Sequence, residues 1–306
     1  MFKAPDKKGK TSLKARKELK AAYICIFPSI IGLIFITYIP LISVFVLGFF
    51  KWGKGAINPV FVGMSNYIKL FTTDPYFYDS IRVTVVFALL SVVGSMIYSL
   101  FIAMLLNRKV PARGFFRAVF YLPYVLPAMA VYIGWSWLYE ANFGLFNYIL
   151  SVFGVEKMLF IADSKLVVPS LALIAVWLSG NLIVIFLAGL QNVPRVYHEA
   201  AEIDGANSWQ RFWNVTIPSM TPIIFYNLLM SLITNMQVVT PALALTNGGP
   251  ENSSSFLTYL LYRYAFISNR LGYACSISAI FFIIIAILTI ILFKTSKSWI
   301  FYEGDN

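Results

Sequence analysis

Six stretches of the chain, at about 21–50, 83–106, 115–138, 166–190, 219–245 and 271–293, hold a single Lys, Arg, Asp, Glu or His among them, Arg117. Each is long enough, at 1.5 Å of rise per helical residue, to cross the roughly 30 Å hydrocarbon layer of a bilayer. In hydrocarbon every backbone N–H and C=O must be paired within the protein, so such stretches fold as helices. The fold class that follows is an all-α membrane protein with six transmembrane helices. Composition agrees: the chain is 59% hydrophobic and 12% charged, where soluble domains carry about 25% charged residues. The net charge of +11 does not point to nucleic acid, because the basic residues sit between apolar blocks and form no stripe on a soluble domain. Cys25 and Cys275 each lie inside an apolar block, with neither metal-ligand spacing nor a disulfide framework. The one histidine, His198, has no Cys or second His beside it and reads as a solvated helix residue.

In chain order, a basic tail at 1–20 carries eight Lys and Arg. The first apolar stretch is too long for a signal-peptide core, so it is expected to be an uncleaved span, kinked or bounded by Pro28 and Pro40. Residues 51–80 read as an exposed loop with a short interfacial helix. Span three contains Pro123 and Pro127, tolerated where neighbouring helices satisfy the freed carbonyls, and ends on the aromatics Trp135, Trp137 and Tyr139. Polar loops are expected at 140–165 and 246–270, a longer polar loop at 191–218, and a tail at 294–306. The tails, the turn holding Arg108, Lys109, Arg113 and Arg117, and the 191–218 loop together hold sixteen of the 24 Lys and Arg. Positive residues stay inside, so both termini and the 191–218 loop are expected in the cytoplasm.

The spans offer no carboxylate, although ion-coupled carriers bind and release their coupling ion at such a group. There is no Gly-rich phosphate loop, no HExxH and no Ser/His/Asp set. The groups that remain are neutral: Ser179 and Asn181 in span four, and Tyr226, Asn227, Ser231, Thr234, Asn235, Gln237 and Thr240 in span five. Ser231, Thr234 and Asn235 stand at i, i+3 and i+4, with Asn227 at i−4, and share one helix face. Amides and hydroxyls among aromatics suit an uncharged polyol; they equally serve as hydrogen-bonding glue between helices. Ser231, Asn235, Asn227, Thr234, Gln237 and Asn181 are the candidate substrate-binding residues.

Between the apolar blocks, Glu199-Ala200-Ala201-Glu202-Ile203-Asp204-Gly205-Ala206 holds three carboxylates within six residues. Val193, Val196, Tyr197, Ala200 and Ala201 give its first helix an apolar stripe, from which Glu199 and Glu202 fall away. Gly205 suits a left-handed helix stop, and Asn207 or Ser208 can cap a second short helix edged by Trp209, Phe212 and Trp213. A solvent-exposed helix, glycine turn and helix present a surface to a partner.

Glu199-Ala200-Ala201, Asp204-Gly205-Ala206, Phe212, Ile217-Pro218 and Pro222 resemble the "EAA" loop of inner-membrane permease subunits of binding-protein-dependent ABC importers. Phe61-Val62-Gly63 with Asn66-Tyr67, Phe120-Tyr121-Leu122-Pro123, and Thr246-Asn247-Gly248-Gly249-Pro250 before Gly272-Tyr273 are similar to the maltose-type carbohydrate branch. The resemblance implies a type I permease in a prokaryotic inner or plasma membrane. It also implies a second, homologous permease subunit, two cytoplasmic ATPase subunits that bind ATP and Mg, and an extracytoplasmic sugar-binding protein. This chain itself then needs no cofactor and is not an enzyme. Carried over by motif, Glu199, Ala200, Ala201, Asp204 and Gly205 are the ATPase-coupling contacts, and Ser231 and Asn235 fall at sugar-site positions. The sequence departs from many relatives at Val238 and Val239, where they carry a polar or aromatic pair. The same branch also moves glycerol phosphates, which call for Arg or Lys in the pathway. A self-sufficient secondary carrier is a further alternative.

Overall fold

A computed structural model describes residues 13–53, 58–108 and 111–301. The basic tail before Leu13, Lys109 and the residues after Phe301 lie outside the described residues. Helix α1 (Leu13–Gly32) begins inside the stretch expected as a tail and continues through a π-helical segment, Leu33–Tyr38, into α2 (Ile39–Leu47). The widening has a local cause. Pro40 lacks an N–H, and its ring crowds the carbonyl four residues back, at Ile36, where the π turn opens the helix. The same device recurs at Pro218, preceded by the π-helical segment Phe212–Thr216.

Two-residue strands β1 (Phe50–Lys51) and β2 (Val60–Phe61) pair antiparallel, Phe50 opposite Phe61. Then come α3 (Ser65–Thr72), the long α4 (Phe77–Asn107), α5 (Arg113–Val125), α6 (Ala128–Leu138) and α7 (Leu145–Val152). The second half holds α8 (Val167–Trp177), α9 (Gly180–Asn192), α10 (Arg195–Ile203), α11 (Ser208–Arg211), α12 (Ile217–Met236), α13 (Leu257–Tyr262) and α14 (Leu271–Ser296). Among the described residues, four helical stretches are long and apolar enough to cross a membrane: Glu18–Leu47, Phe77–Asn107, Ser208–Met236 and Leu271–Ser296. Two bent pairs bring the number to six if each pair is one span.

Helix α4 is the post of the bundle. Ser80, Thr84, Ala88, Ser91, Ser95, Ser99 and Ala103 recur at three- and four-residue spacing along one face, and all are buried. Small side chains let neighbouring backbones come close, which is how helices associate where no hydrophobic force separates protein from lipid. Three clusters of buried side chains pack along this post: Phe87 with Leu171 and Phe256, Phe77 with Leu260 and Ile277, and Leu106 with Phe186 and Met220.

The stretches expected as spans three, four and five are interrupted. Span three breaks between α5 and α6 with a bend of 99°. Leu126, next to Pro127, is held in the extended region (φ −69°, ψ 145°) by the ring that follows it. Pro123 stays inside α5. Span four bends by 48° between α8 and α9, and no proline is present there. A Cβ on Gly180 would lie 2.9 Å from the Phe120 carbonyl oxygen, so α9 starts where glycine lets it touch the α5 backbone. In span five, α12 ends at Met236; Gln237, Val238 and Val239 leave the helix ahead of Pro241. The stretch at 246–270, expected as a loop, contains α13, whose Leu257 and Leu260 are fully buried. The Leu257 N–H donates to Thr84 Oγ1 at 2.8 Å, tying α13 to the post.

Candidate functional site

The helix breaks converge on one cavity of about 410 Å³. The α5–α6 break supplies Tyr124, Leu126 and Tyr132, the α8–α9 break supplies Leu178, Ser179 and Asn181, and α4 supplies Ser95. The opposite wall is Ser231, Thr234 and Asn235 of α12, with Val238 and Thr240 beyond its end. Among the described residues, no Lys, Arg, His, Asp or Glu lines this cavity. Its capacity is therefore for neutral hydrogen bonding and contact with aromatic rings.

Each wall is locally fixed. The Asn235 Nδ2 donates to the Ser231 carbonyl at 2.8 Å and to Ser231 Oγ at 3.2 Å, which leaves the Asn235 carbonyl oxygen as an acceptor. Ser179 Oγ donates back to the Val176 carbonyl at 2.6 Å and lies 2.9 Å from Ser99 Oγ, pinning the α8–α9 break to the post. A hydroxyl there satisfies a carbonyl that the broken helix frees.

Of the side chains expected to bind substrate, Ser231, Thr234, Asn235 and Asn181 are brought together around this cavity, whereas Asn227 and Gln237 are not. Asn227 shares the helix face but lies a turn deeper, fully buried, and neither of its amide atoms has a hydrogen-bond partner among the described residues. Gln237 caps α12 and is exposed. Sequence reasoning missed Ser95, Tyr124 and Tyr132. The three- and four-residue spacing of small residues along α4 is a signal for Ser95. The tyrosines flank Pro127 and become visible as lining only once that break is placed.

The 191–218 loop is built as a helix, glycine turn and helix. Gly205 has φ +80°. Its N–H donates to the Glu202 carbonyl at 3.1 Å, and the Ala206 N–H donates to the Ala201 carbonyl at 2.9 Å, closing α10 in a Schellman turn. Asn207 then caps α11 reciprocally with Gln210: the Gln210 N–H donates to Asn207 Oδ1 at 2.9 Å, and the Asn207 N–H to Gln210 Oε1 at 2.8 Å. Arg211 bridges back to Glu202 at 2.8 Å. Glu199, Ala200, Asp204 and Gly205 are exposed and Ala201 half-buried. Val196, Ala200 and Ile203, at i, i+4 and i+7, form an exposed apolar stripe; Ile203 is 87% exposed. Ile203 was not singled out from the sequence because the acidic residues around it set the polar reading.

The family model described as the binding-protein-dependent transport system inner membrane component matches residues 95–300. The chain is 36% identical over 301 residues to the probable ABC transporter permease protein YesP of Bacillus subtilis, covering 97% of each chain. It is 37% identical over 280 residues to the multiple sugar-binding transport system permease protein MsmF of Streptococcus mutans, covering 90% of this chain and 94% of that one. A chain in the crystal structure of a bacterial ABC transporter involved in the import of the acidic polysaccharide alginate has the same fold. Its TM-score is 0.80 at 20% identity, over 93% of this chain and 98% of that one. The chain belongs to the family of binding-protein-dependent transport system inner membrane components, permease subunits rather than enzymes.

Proposed function

We propose that the chain is one half of the membrane pathway of an ATP-driven sugar importer. On this reading it has six spans and cytoplasmic termini, in a prokaryotic inner or plasma membrane. It pairs with a second, homologous permease and two ATPase subunits that bind ATP and Mg, and receives sugar from an extracytoplasmic binding protein. The observation that carries the reading is the uncharged cavity at the helix breaks, lined by Asn181, Ser231, Thr234 and Asn235 among tyrosines. Hydroxyl-rich, uncharged ligands are matched by amides, hydroxyls and aromatic faces. The likeness to a sugar-transport permease supports the same substrate class. A glycerol phosphate would need a cation beside it, and the cavity lining contains none.

A pathway without its own coupling ion takes its work through a contact, and Glu199, Ala200, Ala201, Asp204 and Gly205 are the coupling contacts on this reading. The exposed stripe through Ile203 fits a partner's apolar cleft. The test is uptake and ATP hydrolysis by the reconstituted complex with its binding protein, using the sugar which that binding protein retains. Gly205→Asp is expected to abolish sugar-stimulated hydrolysis and uptake. Intact uptake in that variant would overturn the coupling role, and uptake by the chain alone on an ion gradient would overturn the importer reading.

A further inference from the structure

Behind the coupling helix lies a second cavity, of about 620 Å³, between the end of α4 and the start of the α11–α12 stretch. Phe101 and Leu105 of α4 line it together with Arg108, His198 and Trp209. Phe101 and Leu105 are the last members of an exposed apolar row, Val86, Leu90, Val93, Ile97, Phe101 and Leu105, that runs the length of α4 at helical spacing. The row ends beside Arg108 and His198. The Arg108 and His198 side chains make no hydrogen bond or ion pair among the described residues, while Arg211 at the rim is held by Glu202. Trp209 is 69% exposed beside Phe212 and Trp213, the placement of an interfacial aromatic belt.

We propose that this cavity binds an anionic phospholipid of the cytoplasmic leaflet. Arg108 and His198 donate to its phosphodiester, Trp209 lies at headgroup level, and an acyl chain follows Ile97, Phe101 and Leu105. Charge complementarity selects the occupant: basic pockets between membrane helices on the cytoplasmic side hold anionic headgroups, and the apolar row supplies the tail's surface. The inference rests on the cytoplasmic placement of the coupling loop proposed above. Because His198 directly precedes Glu199, a lipid held there touches the coupling helix from its membrane side.

The experiment uses the complete complex, purified in detergent with its partner permease and ATPases and exposed to phosphatidylglycerol or phosphatidylcholine. Retained lipid is read by native mass spectrometry. Phosphatidylglycerol is expected to be retained over phosphatidylcholine, and excess inorganic phosphate is expected not to displace it. Arg108→Gln should lower retention about fivefold, the effect of one basic group near the surface. His198→Ala should lower it further, and Leu105→Asn should lower it without changing charge. Equal retention of both lipids, unchanged retention in Arg108→Gln and His198→Ala, displacement by phosphate alone, or no retained lipid because the partner permease fills the cavity would each overturn the inference. Retention needs no transport, so a wild-type complex that retains no phosphatidylglycerol yet takes up sugar overturns this inference alone. Retention without ATP-driven uptake overturns the importer reading alone.

Discussion

Ser99 of α4 and Ser179, at the break between α8 and α9, face each other with their hydroxyl oxygens 2.9 Å apart in the buried interior. This contact fixes the position of the break against the central helix, so the cavity wall is set by a polar pair rather than by chain connectivity. Ser99→Ala is expected to destabilise the protein by about 0.6 kcal/mol, the usual worth of one interhelical hydrogen bond in a membrane. Ser99→Leu should cost more, because the small-residue face of α4 has no room for it. Thermal unfolding of the two variants in one detergent checks the order.

Asp74 ties the start of α4 to Tyr264 and Tyr273. Its Oδ2 accepts from Tyr264 Oη and Tyr273 Oη, each at 2.7 Å, and its Oδ1 accepts from the Tyr76 and Phe77 N–H groups at the start of α4. Asp74→Ala removes all four and is expected to cost on the order of 3 kcal/mol, read as a lower unfolding temperature.

The same cluster gives an alkaline limit. Burial, then the hydrogen bond to Asp74 and its charge, raise the Tyr264 phenol above its ordinary range. A phenol whose folded pKa is raised contributes stability that is whole below the unfolded value of about 10 and is lost as pH rises beyond it. Wild type should therefore lose stability more steeply than Tyr264→Phe above about pH 10. Parallel slopes for the two proteins would count against the assignment.

Gly205 has φ +80° and open space where a Cβ would be, so the need for glycine there is one of backbone conformation. Gly205→Ala is expected to cost the turn about 1 kcal/mol and Gly205→Asn less, because asparagine tolerates the left-handed region. ATPase retention by the purified complex should follow that order, with Gly205→Asn nearer wild type.

The 191–218 loop was legible in the sequence because its signals are local: a left-handed glycine after a helix, an Asn207–Gln210 capping pair, and an apolar stripe at helical spacing. The helical class was legible from the length of the apolar blocks. The breaks were not. Pro123 and Pro127 sit in the same apolar surroundings, yet only the second ends its helix, and the bend at Ser179 has no proline. Its cause is the approach of Gly180 to the α5 backbone, a contact between residues about sixty positions apart that no local pattern encodes. For the same reason Asn227 and Asn235, alike in type and on one helix face, part company: the face is continuous, but the cavity beside it begins only at Met230 and Ser231.

That divergence supplies the sharpest test of the candidate cavity. Asn235 lines it with a free carbonyl oxygen, while Gln237, two residues on, is exposed at the helix end and outside it. If the cavity holds sugar during transport, Asn235→Ala removes one hydrogen-bonding side chain from the ligand, and the loss of about 1–3 kcal/mol corresponds to a fall in uptake efficiency of roughly 5- to 150-fold. Gln237→Ala should stay within about twofold of wild type, since surface substitutions away from such contacts change little. Asn227→Leu separates the remaining role. It replaces a buried, unpartnered amide with an apolar group of similar size, so stability should hold or rise, and uptake should fall only if that amide meets the ligand at another stage of the cycle. Uptake kinetics of the three variants in one reconstituted complex decide the matter. Equal losses for Asn235→Ala and Gln237→Ala would show that the cavity does not set substrate contact.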